Sequence, residues 1–528
     1  MIAGRVQLRD ERRAARAWAG AGATVALLAC WAPSPALAAE PPGRDDARQA
    51  LAAARLALGL APGPRAASGI SAADAPVPRD PTLALRDLVL EIPSLSRAER
   101  REARAILARP SDNPDPQGDT WAAPADLESP HCSAHFCVHW VDGGVDAPNL
   151  ADANGTEDGD GVPDYVEQTT AVAEHAYAVE NGTLGWPAPV PDGFGAPSPH
   201  EAKTDVYLAQ IGDRGYFGYA APDPPPRQSC LRSCSAYLVL DNDYSVAEYG
   251  YPDPAIPLSV TLAHEYSHAL QFAIDSRQDM WLFEATAVWM EEKVFPDVND
   301  YLNYLPSLAR TPGTPITKPE GAGGRRIYGA AVWSHWLESA YGPVAILDTW
   351  LSSTQTRPPD YAVGAFDRAI RRAGGRGFAR EFLAFAAASA EWRLTALPDA
   401  AAYPDVRRQG RMRPGSRRRF RLDHTALRLF KVRSAGRGEI RLRLIVERPV
   451  RAGIALIGRQ GDPVGGTATI ASRFVKRGGS AMVTLRQPAR FDRVTAAVVN
   501  ADGRVRGFSG FDWDYRHDDR VFRVRLGR

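Results

Sequence analysis

Residues 261–292 read TLAHEYSHALQFAIDSRQDMWLFEATAVWMEE, a stretch with room for two helices. His264 and His268 stand four apart, one helical turn, so both imidazoles leave the same face and can share one metal ion. Glu265, beside the first histidine, is the residue type that takes a proton from a water acidified by such a metal. Leu258, Leu262, Ala269, Leu270 and Ala273 supply an apolar stripe that buries this helix. The stripe fits an ordinary core helix with hydrogen-bonded histidines equally well, and the pattern alone leaves both readings open. Asp279 is the expected N-cap of the second helix, MWLFEATAVWMEE. A catalytic metal site needs three protein ligands and one open position, so a third ligand has to be found.

The chain around this stretch is long, 528 residues, and predicts two or three domains. Hydrophobic residues make 45%, charged residues 24%, and the net charge is +1, which gives no global pull toward nucleic acid. Residues 40–128 predict a helix near 46–58 and two more helices separated by Pro93, with Ser96 and Glu99 as a capping box. This part reads as a pro-segment, as a wrap around the following domain, or as a poorly ordered leader followed by a helical hairpin. HCSAHFCVHWV from 131 alternates as a strand, and 203–210 and 235–241 read as strands too. From 258 to about 395 the pattern is helical. An arginine-rich linker over 398–416 precedes short alternating runs over 417–528, whose spacing predicts a β-sandwich. The fold class expected is α+β, with a domain over 129–397 that carries the histidines.

The N-terminus reads as an export signal over residues 1–39. Arg5, Arg9, Arg12, Arg13 and Arg16 precede a short apolar run, and Ala36 and Ala38 suit a signal peptidase. The Cys30 context is a poor lipoprotein box, since Leu28 is large. Removing the signal leaves Cys132, Cys137, Cys230 and Cys234, an even set in two close pairs, as an oxidising compartment favours. His131, His135 and His139 around the first pair invite a second zinc reading; a Cys132–Cys137 disulfide is the preferred one. No later segment predicts a membrane span.

WLFEATAVW resembles the W-L-x-E-G/A segment of the gluzincin zinc hydrolases, which pair HExxH with a glutamate on the next helix. That resemblance implies Glu284 as the third zinc ligand. Glu291 competes for that place, and two turns further along the same face it better suits a role behind the ligands. The chain departs from some gluzincins at Val288, where they carry an acidic residue. HEYSHALQF, MEEKVFPDVNDYL, IYGAAVWSHWLESAYGP, DGVPDYVE and YLVLDNDYS together resemble a family of secreted bacterial zinc metalloproteases named after a myxobacterial locus, over residues 85 to 395. The resemblance implies a zinc peptidase with His264, His268 and Glu284 as ligands and Glu265 as base. Related gluzincins stabilise the oxyanion with a Tyr or His from a downstream helix, so Tyr328 and His335 are both candidates.

DANGTEDGDGVPDYVE is the second informative stretch. Asp158, Asp160, Val162, Asp164 and Glu167 fall at positions 3, 5, 7, 9 and 12 of an EF-hand loop, with Gly161 at the turn. Calcium is the expectation; the alternative is an acidic turn capped by its own side chains. Thr156 holds the first position, where Asp is usual. Asp241, Asn242 and Asp243 form a second, weaker oxygen cluster.

The expected function is a secreted zinc endopeptidase acting on protein or peptide substrates. An aminopeptidase is the nearest alternative, but the G-x-M-E-N segment that binds a free amine in that group is missing. A surface-binding protein acting through its C-terminal domain is the other alternative, and the intact Glu265 speaks against it.

Overall fold

Helices and strands occupy largely separate stretches of the chain, which makes the protein α+β. The computed structural model describes residues 7–8, 44–60, 81–112, 121, 129–148, 161–192, 202–224, 230, 232–318, 325–356, 361–433, 438–447, 450–476, 479–509 and 512–528. Asp158 and Asp160 of the expected calcium loop lie outside them.

The chain begins with β1 (Gln7–Leu8), α1 (Arg44–Ala57), α2 (Thr82–Glu91) and α3 (Arg97–Ile106). Pro93 falls in the 3-10 turn Ile92–Ser94 that separates α2 from α3, because its ring cannot continue a helix. The capping box forms: Glu99 N donates to Ser96 Oγ (3.3 Å) and Ser96 N donates to Glu99 Oε2 (2.8 Å).

The next layer is a five-stranded sheet from β2 (His131–Cys132), β3 (Phe136–His139), β4 (Thr204–Ala209), β5 (Gly218–Pro222) and β6 (Ala236–Asp241), in the order β2-β3-β4-β6-β5. β3, β4 and β6 run parallel, and β2 and β5 are antiparallel edges. The crossover from β3 to β4 carries α4 (Asp164–Tyr177). A disulfide joins Cys132 to Cys137 across β2 and β3, and another joins Cys230 to Cys234. His135 and His139 turn instead to carboxylates: His135 Nδ1 is 2.7 Å from Glu174 and His139 Nε2 is 2.9 Å from Asp205. The first cysteine pair is therefore a disulfide and not a metal site.

The helical part comprises α5 (Val246–Tyr249), α6 (Ala255–Asp275), α7 (Met280–Val294), α8 (Leu305–Arg310), α9 (Arg325–Gly329), α10 (Ala331–Tyr341), α11 (Val344–Leu351), α12 (Ala362–Arg372) and α13 (Phe378–Ala388). α6 lies on β5 and β6, and α7 packs between α6 and α10. Both are buried around most of their circumference, as helices at the centre of a large core must be. Asp279 sits at the N-cap of α7 but its side chain makes no cap; it accepts from Ala362 N (3.0 Å) and so ties α7 to α12.

The C-terminal strands are β7 (Arg408–Met412), β8 (Arg417–Leu422), β9 (Ala426–Val432), β10 (Glu439–Val446), β11 (Ala452–Gln460), β12 (Thr467–Phe474), β13 (Ser480–Arg486), β14 (Arg493–Asn500), β15 (Val505–Ser509), β16 (Asp512–Tyr515) and β17 (Arg520–Gly527). They make sheets ordered β1-β12-β11-β14-β9-β7 and β13-β10-β17-β8, which share a core that includes Phe430, Leu442, Leu456, Leu485, Val498 and Phe522. The arginine-rich stretch 398–416 is not linker throughout. Its residues 408–412 pair with β9 as β7 and bury Met412, and the exposed arginines on either side mask that strand in the sequence. A second core is continuous from Leu51 in α1 through Leu88, Leu262 and Trp289 to Ile457 and Val499, so the N-terminal helices pack into the same interior as the histidine helix.

Candidate metal centre

α6 places His264 and His268 side by side, with ring centroids 4.7 Å apart and planes at 80°. α7 brings Glu284 to them. His264 Nε2 is 3.3 Å and His268 Nε2 is 3.8 Å from Glu284 Oε2, and one donor atom from each residue fits within 4.8 Å of the others. All three residues are buried. Donor atoms around a tetrahedral zinc, with bonds of about 2.0–2.2 Å, lie roughly 3.3 Å apart. The three residues therefore fit that ion in donor type and spacing.

The tautomers fit as well. His264 Nδ1 is 2.6 Å from Glu291 Oε1, and His268 Nδ1 is 2.7 Å from Gln271 Oε1. Hydrogen bonds at both Nδ1 atoms leave Nε2 as the ligating nitrogen on each ring. Gln271 is itself fixed, since its Nε2 donates to Phe283 O (3.1 Å) and Thr286 Oγ1 (3.1 Å) on α7. Burial pulls the His264 imidazole down, but hydrogen bonds to Glu284 and Glu291 outweigh it and hold the group well above its usual value. Two carboxylates on one buried imidazole describe a place prepared for positive charge.

A cavity of about 90 Å³ opens on His264, Glu265 and Glu291, and Tyr251, Tyr304 and Tyr328 line it too. The Tyr328 ring is 5.9 Å from that of His264 and 5.2 Å from that of Tyr304. Close packing sets this wall: a Cβ on Gly329 would come within 2.7 Å of Tyr304 O, so only glycine lets α9 approach. On the facing wall a Cβ on Gly218 would meet Thr261 at 2.7 Å. A larger cavity, about 340 Å³, lies between α12 and the C-terminal strands, but none of His264, His268 and Glu284 lines it.

The structure brings Tyr328 to the site and does not bring His335. The sequence reading set the two on one helix, two turns apart. The helix instead breaks between α9 and α10 at Ala330, where Gly329 packs on the Tyr304 backbone. His335 is fully buried, 4.8 Å from the Tyr301 ring and 3.8 Å from Glu338, and does not line the cavity.

Val162, Asp164 and Glu167 sit at the entry to α4, which starts at Asp164 behind Pro163, where the exit helix of a calcium loop would begin. Asp241, Asp243 and Glu248 come close enough to hold an ion. The Asp241 carboxylate nevertheless accepts from Tyr244 N (2.7 Å) and Gly212 N (2.8 Å), so it organises its own turn.

Sequence reasoning missed three residues near the centre. Gln271 was legible, three positions after His268 and so on the same helical side. Thr82 gave no local signal; its Oγ1 donates to Glu265 Oε2 (3.2 Å) from a helix 183 positions away. Glu180 lies in a π-helical turn, Ala178–Thr183, fully buried, with neither carboxyl oxygen hydrogen-bonded. Burial pushes its carboxyl well above the usual range, against the opposing charge of His264. The chain matches no known family model and no curated protein.

Proposed function

We propose that the protein is a secreted zinc endopeptidase of gluzincin type, with a metallopeptidase domain over 129–397 and a C-terminal β-sandwich over 417–528. The observation that carries the reading is the convergence of His264, His268 and Glu284, with His264 and Glu265 opening on one cavity. The resemblance of HEYSH, WLFEATAVW and the flanking motifs to secreted zinc metalloproteases points the same way. When bound, zinc supplies a Lewis acid that polarises the scissile carbonyl and acidifies a water. Glu265 takes that water's proton and passes it to the leaving amine. Tyr328 donates its hydroxyl to the oxygen where negative charge develops. Glu291 and Gln271 hold the two rings with Nε2 facing Glu284. In the same reading Asp164 and Glu167 are among the donors to a calcium ion.

The test is cleavage of an unstructured protein by the mature chain, with and without a chelator, beside Glu265→Gln. Loss of cleavage with the chelator and in the variant is expected. Equal cleavage by wild type and Glu265→Gln would remove the catalytic assignment.

A further inference from the structure

Thr82 opens α2 and is fully buried beside the centre. Its hydroxyl has one proton to give. Ala220 N, on β5, donates to Thr82 Oγ1 at 2.9 Å, and that hydroxyl then donates to Glu265 Oε2 at 3.2 Å. The backbone amide engages an oxygen lone pair and so turns the hydroxyl proton toward the carboxylate. The Oε2 oxygen of the carboxylate is thereby held by Thr82.

The same helix grips both metal-bearing helices. The buried Arg86 donates from Nη1 to Gln278 O (2.9 Å), in the turn between α6 and α7. Its guanidinium lies 5.0 Å from the centroid of Phe283, the neighbour of Glu284. Behind α3, Arg109 meets Asp192, Asp205 and Asp223 at 2.8, 2.6 and 2.9 Å, and Asp223 is fully buried. Taking this segment away would leave those carboxylates without their cation and Glu265 without its hydroxyl.

We propose that Thr82 is a positioning residue for Glu265, and that residues 82–112 stay in the working enzyme and do not leave as a pro-segment. The proposal rests on the peptidase reading above. It takes up the choice between pro-segment and wrap that the sequence leaves open.

The test compares wild type, Thr82→Val, Thr82→Ser and Glu265→Gln, all with zinc bound. Thr82→Val keeps the shape and removes the hydroxyl. Its kcat should fall about tenfold or more with KM nearly unchanged, since Thr82 meets the base and not the substrate. Thr82→Ser should recover most of the loss. Bound zinc per chain should equal wild type. Hydrogen exchange gives a readout apart from turnover: the Ala220 amide should exchange faster in Thr82→Val and not in Thr82→Ser. Wild-type kcat in Thr82→Val, with Glu265→Gln inactive, would overturn the role of Thr82 alone. Cleavage by Glu265→Gln at the wild-type rate would overturn the peptidase reading and the proposal with it. Unchanged Ala220 exchange in Thr82→Val would show that α2 is not seated on β5. If Thr82→Val does not fold, the intact mass of the active species decides: a form that begins after residue 112 overturns the proposal, and one that retains 82–112 supports it.

Discussion

Glu291 Oε1 lies 2.6 Å from His264 Nδ1, so the carboxylate that orients the first histidine comes from two turns beyond Glu284 on the same helix. One turn beyond Glu284 stands the buried Val288, so the carboxylate that reaches His264 is Glu291. Glu291→Ala should therefore weaken zinc binding by about ten- to a hundredfold. Competition with a chromogenic chelator measures it. Unchanged affinity would mean that the ring is held by its packing alone.

Tyr328 and His335 separate into two predictions by their surroundings. Tyr328→Phe should lower kcat by about a hundredfold, the usual loss for one donor to a developing oxyanion, with bound zinc unchanged. His335→Gln should retain kcat and lower the melting temperature, because His335 is packed against Tyr301 and does not line the cavity. A variant pair with the reverse behaviour would reassign the donor.

Glu180 predicts a pH dependence of stability. Burial raises its folded pKa above the unfolded value, near 4.5, so the folded chain holds this proton more tightly than the unfolded one. The stability that follows is complete below the unfolded pKa and is lost as pH rises toward and through the folded value. Glu180→Gln has the same shape and no charge to bury. At fixed zinc saturation, variant and wild type should melt together near pH 4, and the variant should melt higher at pH 8. Identical melting curves at both pH values would show that the buried carboxyl is neutralised by a partner.

The loop before α4 gives a prediction for calcium. Zinc-saturated protein should melt at a higher temperature when calcium is added, and Glu167→Gln should reduce that shift. No shift in wild type would favour the acidic turn over the ion site.

The two central helices were legible because their signal is local. HEYSH fixes both histidines by spacing, and the apolar runs around it mark helices deep in a core. β5 was not legible. Its sequence, GYAAP, carries glycine, two alanines and proline, so it reads as loop, and pairing with β6 makes it a strand. His335 lies beyond the boundary between α9 and α10 and is packed against Tyr301, a contact with no local signal in the sequence. Thr82 and Arg109 were unreadable for the same reason: their partners are distant in sequence and meet them only in the folded chain.

Arg109 bears on how this wall of the molecule opens. Its three carboxylates come from three separate stretches, around residue 192, on β4 and just after β5, and one guanidinium closes all of them. None can swing out without leaving Arg109, and Asp205 must part from His139 as well. Fraying one strand at a time is thereby disfavoured, and the N-terminal helices, the central strand β4 and the end of β5 should exchange their amides together.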